Sequence, residues 1–135
     1  MNKKRIILNS RDFIKLKQVI NESIASGHVN AKNLDAELSN ALLLEPEKIP
    51  SDVITMNTRV SFIDINEAEE FVYTIVYPED ADLANGKLSV LAPIGTALLG
   101  YKEGDEIVWN VPAGQKILHV EKILYQPEAN GDYYQ

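Results

Sequence analysis

The chain has 135 residues, 45% of them hydrophobic, 24% charged and 7% aromatic, and a formal net charge of −7. That apolar share excludes a disordered chain, and a chain of this length buries about two-thirds of its unfolded surface. Without a single cysteine, disulfides, thiolate zinc sites and cysteine nucleophiles are excluded.

The start, Met1-Asn2-Lys3-Lys4-Arg5, is basic but leads only into Ile6-Ile7-Leu8, too short for a secretory apolar core. No apolar run approaches the ~20 residues of a membrane span, so a soluble cytoplasmic protein without a membrane partner is expected. Ser10 is placed to cap a first helix, with Asp12 in the first turn, where the helix dipole favours an anion. Phe13, Leu16, Ile20 and Ile24 recur at spacings of 3, 4 and 4, one stripe that Val19 broadens. Gly27 stops the helix. After a loop over 28–32, Asn33 is expected to cap a second helix carrying Leu34, Leu38, Ala41 and Leu42, ended by Pro46 and Pro50. Two such helices read as a short antiparallel hairpin. Leu43 and Leu44 are expected to lean on the next domain.

From Val53 the period changes to alternation, which predicts a long strand to Ile65 and a second over Phe71–Tyr77, joined through Asn66-Glu67. Pro78 to Gly86 is an acidic loop and Lys87–Leu91 a third strand. Pro93 suits the first turn of a short helix running to Leu99 and closed by Gly100. Glu103-Gly104-Asp105 and Pro112-Ala113-Gly114 are turns around a strand over Glu106–Val111, and Lys116–Tyr125 is the last strand. The predicted class is α+β: a helical hairpin over 1–50, then an antiparallel sheet curled over one short helix in 51–135.

Residues 1–52 carry 8 basic and 7 acidic side chains, residues 53–135 carry 5 and 13. An acidic second part repels phosphate backbones, so no sequence-specific nucleic-acid contact is expected there. The cluster Lys3, Lys4, Arg5, Arg11, Lys15 and Lys17 reads as a solvated face, and the asymmetry as steering toward a protein partner. No serine sits in a nucleophile motif, no glycine run cradles phosphate, and His28 and His119 lack metal-ligand spacing. His119 is expected to be a hydrogen-bonded strand residue. Asp80 with Asp82, Glu69-Glu70 and Asp105-Glu106 are expected to be solvated surface. Trp109 reads as core or a pocket floor, and Tyr125, Tyr133 and Tyr134 as anchors for a tail or a partner. No catalytic residue, metal site or cofactor is predicted.

The block Lys87-Leu88-Ser89-Val90-Leu91-Ala92-Pro93-Ile94-Gly95-Thr96-Ala97-Leu98-Leu99-Gly100 with the following Gly104-Asp105 resembles the C-terminal domain of the bacterial transcript-cleavage factors GreA and GreB. Thr74-Ile75-Val76-Tyr77-Pro78 matches the family's strand before its acidic loop. Pro50-Ser51-Asp52-Val53 through Val60, Leu88-Ser89-Val90 running into Ala92–Gly95, and the tail Tyr125-Gln126-Pro127 through Tyr133 are similar to the branch of that family called regulators of nucleoside diphosphate kinase. The resemblance implies an FKBP-like C-terminal domain, an N-terminal coiled-coil hairpin, and docking of the domain on RNA polymerase at the rim of its secondary channel. It implies contact through Leu91, Ala92, Pro93, Ile94 and Gly95, with Leu91 where Gre factors can carry Asp.

In Gre factors a longer hairpin brings acidic residues to a catalytic magnesium ion. Here residues 23–33 contain no Asp or Glu, and the tip, Ser26, Gly27, His28, Val29 and Asn30, offers no carboxylate to a hard cation. The expectation is a monomeric, non-enzymatic regulator that competes with Gre factors without stimulating cleavage. An indirect route through transcription is the simplest link to nucleoside diphosphate kinase. The alternative is a peptidyl-prolyl isomerase or chaperone using Phe62, Phe71, Tyr73, Tyr77, Tyr101 and Trp109.

Overall fold

A computed structural model of the chain describes residues 6–28, 31–111 and 114–131. The chain opens with strand β1 (Ile7–Asn9), which runs directly into helix α1 (Ser10–Ala25). The cap is Asn9, not the expected Ser10: Asn9 Oδ1 accepts the Asp12 N–H at 2.7 Å. Both residue types can cap, and Asn9 takes the position because its backbone is already extended in β1. The apolar stripe buries Leu16 and Ile20 completely, each contributing about 2 kcal/mol by removal from water. At the far end Gly27 is left-handed, and the Gly27 and His28 amides bond the Ile24 and Ser23 carbonyls. This is a Schellman stop, where the glycine expectation placed it.

Helix α2 (Ala31–Leu38) starts before Asn33 and ends well before Pro46. It seats Leu34 and Leu38 in the same core as Leu16 and Ile20, and Lys17 Nζ bonds Asp35 Oδ1 across the pair at 2.7 Å. Leu42, expected on this helix, lies instead in β2 (Leu42–Leu44), which pairs in parallel with β1, Ile7 opposite Leu42 and Asn9 opposite Leu44. The helical spacing of Leu38, Ala41 and Leu42 is a coincidence of a turn at Ser39-Asn40, after which the chain rejoins β1.

The predicted strand from Val53 forms only at β3 (Arg59–Asp64). Residues 53–58 make a buried strap instead, turned by Asn57 at φ 65° and bonded to Ile75 on both sides. β4 (Glu69–Val76), β5 (Lys87–Ser89), α3 (Pro93–Leu98), β6 (Glu106–Val111) and β7 (Gly114–Tyr125) follow in the expected order. The five-stranded sheet has the order β5-β4-β3-β7-β6. It is mixed and not antiparallel throughout, because β5 runs parallel to β4. A two-bond bridge between Asp82 and Lys87 turns the acidic loop back on itself and sets that direction. One face buries Val60, Phe62, Leu118 and Val120 in an apolar cluster that includes Leu98 of α3 and continues through Ile54 and Met56 to Leu8, Leu16 and Leu34. Among the described residues, no helix is long and apolar enough to cross a membrane.

Candidate docking site

Strand β5 delivers the chain into a tight turn over residues 89–92, and α3 begins at Pro93, whose missing N–H costs nothing in a first turn. Four contacts shape this turn. Ser89 Oγ accepts the Leu91 N–H at 3.0 Å, and the Ser89 carbonyl accepts the Ala92 N–H at 3.0 Å. Thr96 Oγ1 donates to the Val90 carbonyl at 2.6 Å. A Cβ on Gly95 would overlap the Ser89 carbonyl oxygen, so glycine lets α3 press directly on the turn.

The five residues named for partner contact are thus brought together, but not equally presented. Leu91 is only 5% exposed and belongs to the core, and Gly95 is buried. Pro93 is exposed, with Ala92 and Ile94 half-exposed on either side. The outward surface is a small apolar ridge. Position 91 is enclosed, where a charged side chain would lose its hydration, and the aliphatic Leu91 fits that burial.

At the other end, Ser26, Gly27 and His28 form the exposed hairpin end; Val29 and Asn30 lie outside the described residues. Among the described residues, no three His, Asp or Glu side chains gather to hold a metal ion. Asp82 and Asp105 act as turn makers, accepting Asn85 Nδ2 at 2.6 Å and the Lys102 N–H at 2.8 Å. Of the basic cluster, Lys15 sits 4.2 Å over the Tyr77 ring and 3.7 Å from Glu79, and Lys17 pairs with Asp35. Lys3, Lys4 and Arg5, like Tyr133, Tyr134, Pro112 and Ala113, lie outside the described residues, as does the Trp109 side chain. His119 departs from expectation: its Nδ1 is enclosed without a hydrogen-bond partner, 3.7 Å from Glu106. Of the aromatic set, Phe62 and Tyr77 are fully buried and Phe71 and Tyr73 stack beside Phe62.

A second polar cluster joins the base of the helices to the sheet domain, and no spacing in the sequence announces it. Glu128 is 7% exposed. Its Oε1 accepts the Thr55 hydroxyl at 2.7 Å and its Oε2 accepts Asn9 Nδ2 at 2.5 Å. Asn9 Nδ2 also donates to Asp12 Oδ2 at 3.1 Å, and the Tyr77 hydroxyl donates to Asp12 Oδ1 at 3.1 Å. Burial, reinforced by the Glu128 charge, pushes the Asp12 carboxyl up to about 6. Burial and the neighbouring Asp12 push the Tyr77 phenol above its usual range. The nearest signal in the sequence is the pair Asn9 and Asp12 at cap spacing, which says nothing of Glu128.

Comparison with known proteins places this geometry. The family description "Transcription elongation factor, GreA/GreB, C-term" matches residues 49–125, a span that contains the whole turn and α3. The chain is 42% identical to the "Regulator of nucleoside diphosphate kinase" of Escherichia coli (strain K12) over 134 residues, covering 98% of each chain. It is 36% identical to the transcription elongation factor GreA of Syntrophotalea carbinolica over 94 residues, 70% of this chain and 60% of that protein. The solved structure of a prokaryotic transcription elongation factor GreA/GreB from Nitrosomonas europaea superimposes with a TM-score of 0.72 at 38% identity, covering 91% of this chain and 100% of that one.

Proposed function

This chain belongs to the GreA/GreB family of transcription elongation factors, and from that membership we propose that it is a non-enzymatic regulator that binds RNA polymerase near the secondary channel. In this reading the sheet domain (51–135, FKBP-like) docks through Ala92, Pro93 and Ile94. The helical pair (1–50) acts as a short coiled-coil hairpin that occupies space without delivering metal ligands. The protein competes with Gre factors as a cytoplasmic monomer and leaves transcript cleavage unstimulated. Its effect on nucleoside diphosphate kinase, the activity for which its relative is named, runs indirectly through transcription.

The observation that carries this reading is the exposed Pro93 ridge inside the family-matched span, coupled to a hairpin end at 26–28 without a carboxylate. A hard divalent cation needs several oxygens converging on one point, and Ser26, Gly27 and His28 supply no carboxylate. The test is capture by core RNA polymerase, challenged with a Gre factor, together with addition to a backtracked elongation complex. Competition without shortening of the nascent RNA is expected. Absence of binding, or faster shortening, defeats the reading.

A further inference from the structure

We propose that Ser89 is a positioning residue for docking: its hydroxyl holds the turn in the one shape that keeps Leu91 inside and Pro93 outside. The inference rests on the polymerase-docking reading. Ser89 engages the turn three times, through Oγ to the Leu91 N–H, through its carbonyl to the Ala92 N–H, and through that same oxygen pressed on Gly95. The last two are main-chain features that any residue at 89 supplies. Only the first needs the side chain, and it acts on Leu91, the residue whose roll decides which face the ridge presents.

Thr96 fixes the other side by donating to the Val90 carbonyl. Residues 90–92 are thereby gripped from the strand before them and from the helix after them. Ser89 is itself half-exposed, so water replaces its hydroxyl when it is removed and the fold survives. What changes is the fraction of molecules whose turn is docking-competent, and affinity falls with that fraction. Loss of one such hydrogen bond corresponds to about tenfold in an equilibrium constant.

The experiment titrates the full chain into labelled core RNA polymerase for the unaltered protein, Ser89→Ala, Ser89→Thr and Pro93→Glu. Melting temperature and exchange of the Leu91 amide are followed on each free chain. The competent fraction falls less than the equilibrium constant wherever the intact turn predominates. Ser89→Ala is therefore expected to bind about twofold to tenfold more weakly and to expose the Leu91 amide to exchange, with its melting temperature nearly unchanged, and Ser89→Thr to restore both. Equal affinity for Ser89→Ala overturns the proposal. So does a loss that follows a lowered melting temperature and is not recovered by Ser89→Thr. Failure of the unaltered chain to bind, or unweakened binding by Pro93→Glu, instead overturns the docking reading and takes this inference with it.

Discussion

Asn9 and Glu128 are 119 residues apart in the chain, yet the Asn9 amide donates to the Glu128 carboxylate at 2.5 Å inside the protein. The same side chain caps α1 through its oxygen, so one residue ties the start of the helices to the C-terminal segment. Replacing Asn9 with Ala removes a cap and strands a buried carboxylate oxygen, and is expected to destabilise the fold by about 2–3 kcal/mol. Asn9→Ser keeps a capping oxygen but cannot reach Glu128, and about half of that loss is expected. Urea unfolding measures both; equal losses in the two variants would remove Glu128 from the account.

The Asp12 carboxyl gives stability a pH dependence opposite to that of an ion-paired acid. In the folded chain it holds its proton to about pH 6, against an ordinary value of 3.8. Between those values the fold binds more protons than the unfolded chain, so stability rises as pH falls from 7 toward 4, by roughly 2–3 kcal/mol. The gain is fully present below 3.8 and lost as pH rises through about 6. Asp12→Asn is expected to flatten the rise. Urea midpoints at pH 7, 6, 5 and 4.5 read the slope, and an unaltered slope in that variant assigns it elsewhere.

Lys116 and Asp64 work in the other direction. Lys116 Nζ lies 2.8 Å from Asp64 Oδ2, and this hydrogen bond holds the Asp64 carboxyl below the usual carboxylate range. A depressed acid stabilises above its unfolded value and loses that contribution as pH falls. Lys116→Met is therefore expected to begin acid unfolding at higher pH than the unaltered chain. Circular dichroism during acid titration tests this, and coincident curves refute it.

Two glycines share a left-handed backbone but differ in surroundings. At Gly27, φ +83°, a Cβ would meet open space; at Gly100, φ +87°, it would overlap the Ile6 side chain. Gly27→Ala is expected to cost about 1 kcal/mol, the backbone strain alone. Gly100→Ala is expected to cost about 3 kcal/mol, strain plus overpacking. Ile6→Ala should recover part of the overpacking in the double variant, so the two changes are non-additive. Additive losses would show that Ile6 does not press on Gly100.

Local chemistry made most of the sheet domain readable. Pro93 and Gly100 bracket α3 because one fits a first turn and the other a left-handed exit, and β4, β6 and β7 formed about where the sequence placed strands. What failed depended on distant partners. Leu42 had helical spacing from Leu38 but, with Leu43 and Leu44, found an edge in Ile7–Asn9, and residues 53–58 alternated like a strand but were claimed by Ile75 and Glu128. At the candidate site the Leu91-to-Gly95 block was visible as a motif. The division of labour within it, Leu91 inward and Pro93 outward, emerges only once the Ser89 hydroxyl is in place.

The parallel pairing of β1 with β2 means that the chain enters and leaves the helical pair through the same three rungs. The two ends of the segment between Asn9 and Leu42 are thus clasped side by side, while Leu16, Leu34 and Asp12 root its near half in the core and in the Tyr77 hydroxyl. The far end around Gly27, where a Cβ would meet open space, is the stretch that bears insertion or shortening without disturbing those roots.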